Sequence, residues 1–167
     1  STNDLSIAVS ALNLGSAIAS SAPKATSHLS SYVTCALLLA HSSLVSGASL
    51  HALQKFLSSV AIADAKAAKT VIKDLENVDE KMNEKLSSEE GKVQIRVTAA
   101  CLGAVHKRLK TGVEKTYADS VNRKVNDYAS CLYLRAIGEI GRSVDLSSDE
   151  KIEDCLLRVM TNAKQPY

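Results

Sequence analysis

Tyr128 to Ser147 reads Y-A-S-C-L-Y-L-R-A-I-G-E-I-G-R-S-V-D-L-S. It predicts a short helix of small and apolar residues that carries glycines at Gly138 and Gly141 and ends at Val144-Asp145-Leu146. Two weaker copies of the same small-apolar-glycine phrase lie upstream. One is built from Ala11, Leu12, Leu14, Gly15 and Ala17, and the other from Ala99, Ala100, Leu102, Gly103 and Val105. A mid-helix glycine costs about 1 kcal/mol against alanine. Its recurrence therefore points to close helix approach, and a phosphate loop is excluded because no G-x-x-x-x-G-K pattern follows.

Composition agrees with helices. The 167 residues hold no Trp, one Phe and two Pro but much Ala, Ser and Leu, a palette short of the aromatic strand formers. Hydrophobic residues make up 46% and charged residues 23%, enough for one core-bearing domain. The net charge of +2 is too near neutral to indicate nucleic acid. Cys35, Cys101, Cys131 and Cys155 are far apart with no C-x-x-C spacing, and three of them lie in apolar helical runs. Buried reduced thiols are expected, with neither a zinc site nor a redox pair. The longest apolar run, Tyr32 to Ala40, is too short to span a bilayer and has no basic segment before it, so neither a membrane span nor a secretory leader is expected.

Working outward, apolar spacing and capping residues predict helices over about 4–20, 26–41, 46–61, 64–86, 92–110, 113–126, 127–143 and 148–162. Pro23 suits the start of the second helix, and Asp127 is placed to cap the seventh. Ser147 with Glu150 three residues later has the form of a capping box for the eighth. The stretch Asp64 to Leu86 is read as one charged amphipathic helix, with Ala68, Val71, Ile72, Leu75, Val78 and Met82 as its stripe, and Ser87 to Gly91 as the loop after it. The first sixty residues hold only Asp4, Lys24 and Lys55 as charges. A segment so poor in charge is expected to set much of its surface against neighbours.

Spacing then decides the architecture. Gly103 and Gly138 are 35 residues apart, and Gly15 and Gly103 are 88 apart, with room for a further copy around Phe56. A helix pair at each such interval is the period of α-solenoids of the HEAT and armadillo type, in which stacking neighbours supply the core that one pair lacks. The predicted fold is all-α, an α-solenoid of about four HEAT-type helix pairs (roughly eight helices) in a single segment. The chain opens on the second helix of a pair and closes on a first helix, as a piece cut from a longer protein would, so self-association through uncapped ends is expected.

Catalytic patterns are missing. His28, His41, His51 and His106 are isolated, with no H-E-x-x-H or i,i+4 pair, and there is no G-x-S-x-G elbow. Cys101 and His106, at i,i+5, fall on different faces of one helix. The acidic pairs Asp149-Glu150 and Glu153-Asp154 sit at a helix start, where the dipole explains them. No enzyme activity and no cofactor or metal are expected.

Three stretches carry a resemblance. Leu134 to Gly141 with Val144-Asp145-Leu146-Ser147, Asn3-Asp4-Leu5 before the first helix, and Leu44 to Leu53 before the third resemble consecutive repeats in the later half of the cullin-associated, neddylation-dissociated protein family. Order and spacing agree over most of the chain, while the charged stretch Asp64 to Leu86 departs from the family pattern. The resemblance implies a non-catalytic segment, of the cytoplasm and nucleus, that binds cullin–RING ubiquitin-ligase cores lacking their ubiquitin-like modifier and promotes exchange of adaptor and substrate-receptor modules. It implies a protein partner, with neither nucleic acid nor membrane. On that logic the exposed residues of the fifth and seventh helices face the partner. His106, Lys107, Arg108 and Arg142 are the candidates, as cations steering toward an acidic surface, although a helix C-terminal dipole favours cations as well. A different solenoid adaptor, such as an importin-like transport receptor or a phosphatase or coat scaffold, shares the same helix-pair grammar.

Overall fold

The computed structural model describes residues 2–78, 80–123 and 127–162. Among them are eight α-helices: α1 (Thr2–Ser21), α2 (Ser30–Ala40), α3 (Gly47–Ala63), α4 (Ala65–Leu75), α5 (Glu89–Leu109), α6 (Glu114–Asn122), α7 (Asp127–Gly141) and α8 (Glu150–Thr161). Two 3-10 helices, Pro23–Leu29 and Glu80–Ser87, precede α2 and α5.

Local chemistry sets most boundaries. The Ser46 N–H donates to Ser49 Oγ at 3.1 Å at the start of α3. Asp64 ends α3 in an extended conformation and accepts the Lys66 N–H at 2.9 Å, so one residue closes one helix and opens the next. Ser88 accepts the Gly91 N–H at 3.0 Å to cap α5, which starts within the predicted loop. Lys110 ends α5 in the left-handed region. The predicted capping box at Ser147 is replaced by two motifs. The Ser147 hydroxyl donates to Asp145 at 2.7 Å, and Asp149 caps α8 by accepting from the Lys151 and Ile152 N–H groups at 3.1 and 3.3 Å.

Two predicted helices are interrupted. The second opens as the 3-10 helix from Pro23 and becomes α-helical only at Ser30. The charged stretch 64–86 stops being α-helical at Leu75 and resumes as the 3-10 helix Glu80–Ser87. The 3-10 helix packs on α5 and α7, and Val78, Met82 and Leu86 lie against the core. Burial of apolar surface outweighs a few helical hydrogen bonds there. The end predicted for the sixth helix, 124–126, lies outside the described residues.

The helices alternate between two layers. On one side α1 packs on α3, α3 on α5 and α5 on α7; on the other, α2 packs on α4 and α6 on α8. The layers are joined through α3 with α4 and α6 with α7. The core between them includes Leu53, Phe56 and Leu57 of α3, Ile95 and Leu102 of α5, and Leu132 of α7, all at most 1% exposed. This is an all-α fold whose long-range helix packing is consistent with a helical solenoid. Glycine sets two of the approaches. A Cβ on Gly15 would lie 2.5 Å from the Phe56 ring, and one on Gly103 would lie 2.6 Å from Glu139 Cβ and 2.9 Å from the Ala136 carbonyl oxygen. Gly138 differs: a Cβ there would meet nothing within 4 Å. The expectation that it serves close packing inside the chain is corrected.

Candidate functional site

The α5–α7 crossing brings two of the four candidate residues together. Because Gly103 has no side chain, α7 comes close enough to lay Glu139 over α5. The Glu139 carboxylate accepts from Gln54 Nε2 of α3 at 3.3 Å and lies 3.9 Å from Lys107 Nζ of α5 and 3.5 Å from Nε of Arg142, the residue just after α7. Gln54 also donates to the Ala100 carbonyl at 3.0 Å. Glu139 thus ties three consecutive helices of one layer and fixes where their cations stand. It is only 12% exposed, whereas the Arg142 side chain is 77% exposed. Such pairs contribute about 0–1 kcal/mol to stability, so their consequence is positional. Arg135, one turn before Glu139, lies half-buried with its Nε donating to Cys131 Sγ at 3.4 Å.

Arg108 is exposed at the end of α5, apart from this cluster. His106 is corrected outright: its side chain is 3% exposed and points into the protein. Its Nδ1 meets Thr111 Oγ1 at 2.8 Å and its Nε2 meets Tyr117 Oη at 2.7 Å. Tyr117 donates its hydroxyl proton to Glu76, so His106 donates to Tyr117 through Nε2. Glu76 Oε1 is 3.8 Å from His106 Nε2. The Tyr117 ring stacks on Tyr133 with centroids 4.4 Å apart. This buried network joins the ends of α4 and α5 to α6 and α7. The His106 contact holds the Glu76 carboxyl below its usual range, helped by the Tyr117 hydroxyl and opposed by burial. Burial first, and then Glu76, push the Tyr117 phenol up, so it remains a donor.

Position in the helix could have revealed the inward turn of His106. It continues the i, i+4, i+7, i+11 stripe of Ile95, Ala99 and Leu102, all fully buried. Glu139 was missed, and only its i,i+3 spacing to Arg142 was visible. The remaining polar ties are structural. His41 Nε2 meets Asp74 at 2.8 Å, and Thr98 donates to the Ala40 carbonyl at 2.8 Å. An open groove of about 920 Å³ runs beside α4 from Lys69 to Val78. Burial, aided by the Glu139 charge, pushes the Cys101 thiol far up, which keeps it protonated. Among the described residues there is no group of three side chains able to hold a metal, and no helix is long and apolar enough to cross a membrane. No family model matches the chain, and no curated protein or solved structure is significantly similar to it.

Proposed function

We propose that this chain is a HEAT-type solenoid segment with no catalytic role, which binds the unmodified cullin–RING core and promotes exchange of its adaptor and substrate-receptor modules. The observation that carries this reading is the unbroken packing of α1, α3, α5 and α7, which makes one layer with Lys107 and Arg142 at its surface. A layer of this kind presents an extended binding face without a pocket. The residue phrase from Leu134 to Ser147 supplies the link to cullin binding. Of the four cations first considered, Lys107 and Arg142 are kept as the centre of the face and Arg108 as its rim. His106 is a structural residue and is withdrawn from the set.

The charge-poor first sixty residues expose several apolar side chains. Leu5, Ile7, Leu14, Tyr32, Leu38 and Leu44 are all 40% or more exposed there. Exposed apolar side chains that stand singly are ordinary on a protein surface, so they favour no particular partner. Nucleic acid and membrane are not proposed as partners, and residence in cytoplasm and nucleus is part of the same reading. The test is capture by the immobilised chain of a purified cullin–RING complex, with and without its ubiquitin-like modifier. Preferential capture of the unmodified complex is expected. Equal capture of both, or capture of neither, sinks the exchange-factor reading and leaves another solenoid adaptor as the better description.

A further inference from the structure

On α1 the exposed apolar side chains do not stand singly. Ile7, Ala11, Leu14 and Ile18 follow one another at alternating steps of four and three residues, the spacing of a single seam along a helix. They are not the residues that α1 turns to the core. Leu12, Gly15, Ser16 and Ala19 are buried on the side toward α3. Ile7 and Leu14 are 68% and 63% exposed. Ala11 and Ile18 are half-buried at the edge of the same face, with Ile18 reaching the core. The helix therefore carries two apolar stripes, and the second is left mostly open.

Charge narrows what can cover it. The open stripe is flanked by exposed Ser6, Ser10, Asn13 and Ala17, and no charged residue stands between Asp4 and Lys24. The exposed face of α4, by contrast, carries Lys66, Lys69 and Lys73. An ionic ligand laid on α1 would shed water from its charges and find nothing to pair with. The seam fits a helix as free of charge as itself, and a second copy of α1 is such a helix.

The order of the residues fits that occupant as well. Laid antiparallel on its own copy, the stripe sets Ile7 opposite Ile18 and Leu14 opposite Ala11, and two-fold symmetry repeats both pairs across the axis. Each Leu14 then enters the space beside a small residue. A parallel alignment would set Ala11 against Ala11 and leave a void. In the antiparallel register Asp4 of each copy falls opposite Ser21 of the other, so the two carboxylates do not meet.

We propose that two copies of this chain pair through antiparallel α1 helices along the seam of Ile7, Ala11, Leu14 and Ile18. The 20 residues of α1 make a helix about 30 Å long, and a strip about 10 Å wide along it covers about 300 Å² per copy. The total of about 600 Å² is half of the roughly 1,200 Å² at which stable interfaces begin, so the dimer is weak and concentration-dependent. This surface lies apart from the α5–α7 face and does not depend on the cullin reading.

Sedimentation equilibrium of the 167-residue chain from about 10 μM to about 1 mM tests it. The mass should rise from 17.8 kDa toward twice that value and no further. An uncharged seam should give the same dissociation constant in low and high salt. Leu14→Glu should weaken pairing by more than about tenfold, with the urea midpoint unchanged because the side chain is exposed. Ile7→Ala should weaken it in the same direction without placing a charge in the seam. A nitroxide on Ser6→Cys in a Cys35→Ser chain, mixed with ¹⁵N-labelled parent chain, should broaden amides centred on Ile18 to Ser20. The proposal is overturned by a mass that stays at one chain, which leaves the seam to a helix of another protein. A mass that climbs past two chains overturns it too, as the mark of head-to-tail stacking. So do pairing of Leu14→Glu at parental strength, steep weakening by salt, and broadening centred on Ile7 or on α8.

Discussion

His106 and Lys107 are neighbours in sequence with opposite fates. A residue advances 100° around a helix, so one faces the core and the other the surface. His106 is tolerated inside because its two ring nitrogens meet Thr111 and Tyr117, and because the Tyr117 hydroxyl donates its hydrogen bond to Glu76. Tyr117→Phe removes the middle of that chain and leaves the imidazole without its inner partner. It should cost about 1–3 kcal/mol in urea unfolding, more than removal of any single surface ion pair. Glu76 also gives the network a pH signature. Its carboxyl titrates lower in the folded chain than its ordinary value of 4.5, so the unfolded chain takes up the proton first. The stabilisation is complete above about that ordinary value and is lost as pH falls through the lower folded one. Glu76→Gln should flatten this acid limb of stability against pH, and an unaltered limb would show that other carboxylates carry it.

At the scale of helices, the glycines divide by sign. Gly103 is required by the approach of α7, since a methyl there would drive into the Ala136 carbonyl and Glu139. Gly103→Ala should therefore lose about 1–3 kcal/mol despite the better helix propensity of alanine, read as a lower urea midpoint. Gly138→Ala should move the same measurement the other way, because its surroundings are open. In sequence the two glycines sit in the same phrase and look alike. What separates them is the neighbour that each meets, and a helix pattern carries no record of neighbours. The charged stretch 64–86 teaches the same point. Its apolar spacing is helical throughout, but its second half is a 3-10 helix packed on α5 and α7.

Across the whole molecule, the alternation of layers decides which side chains meet solvent. Cys101, Cys131 and Cys155 are buried between elements, whereas Cys35 is exposed on α2, and all four are free thiols. A thiol reagent should modify Cys35 rapidly in the native chain and reach the other three only on unfolding. Rapid labelling of a second thiol would contradict the layer arrangement. Most of this architecture was legible in advance. The 3.6-residue periodicity and the capping residues located eight helices, because these are local properties of short windows. The spacing of the glycine phrases suggested the alternating pairs, because a repeat period survives without any knowledge of contacts.

By itself, the sequence determined the all-α class and the order of the helices, since propensity, capping and periodicity act within one or two turns; it also led to the expectation of a buried Cys35, in the apolar run Tyr32 to Ala40, which the structure leaves exposed. Only the tertiary structure decided that Glu139 gathers Gln54, Lys107 and Arg142, that His106 turns inward to Tyr117, and that Gly138 stands open. The reason is physical. Each of these depends on which helix lies alongside and at what distance, and that is set by the packing of side chains far apart in the chain.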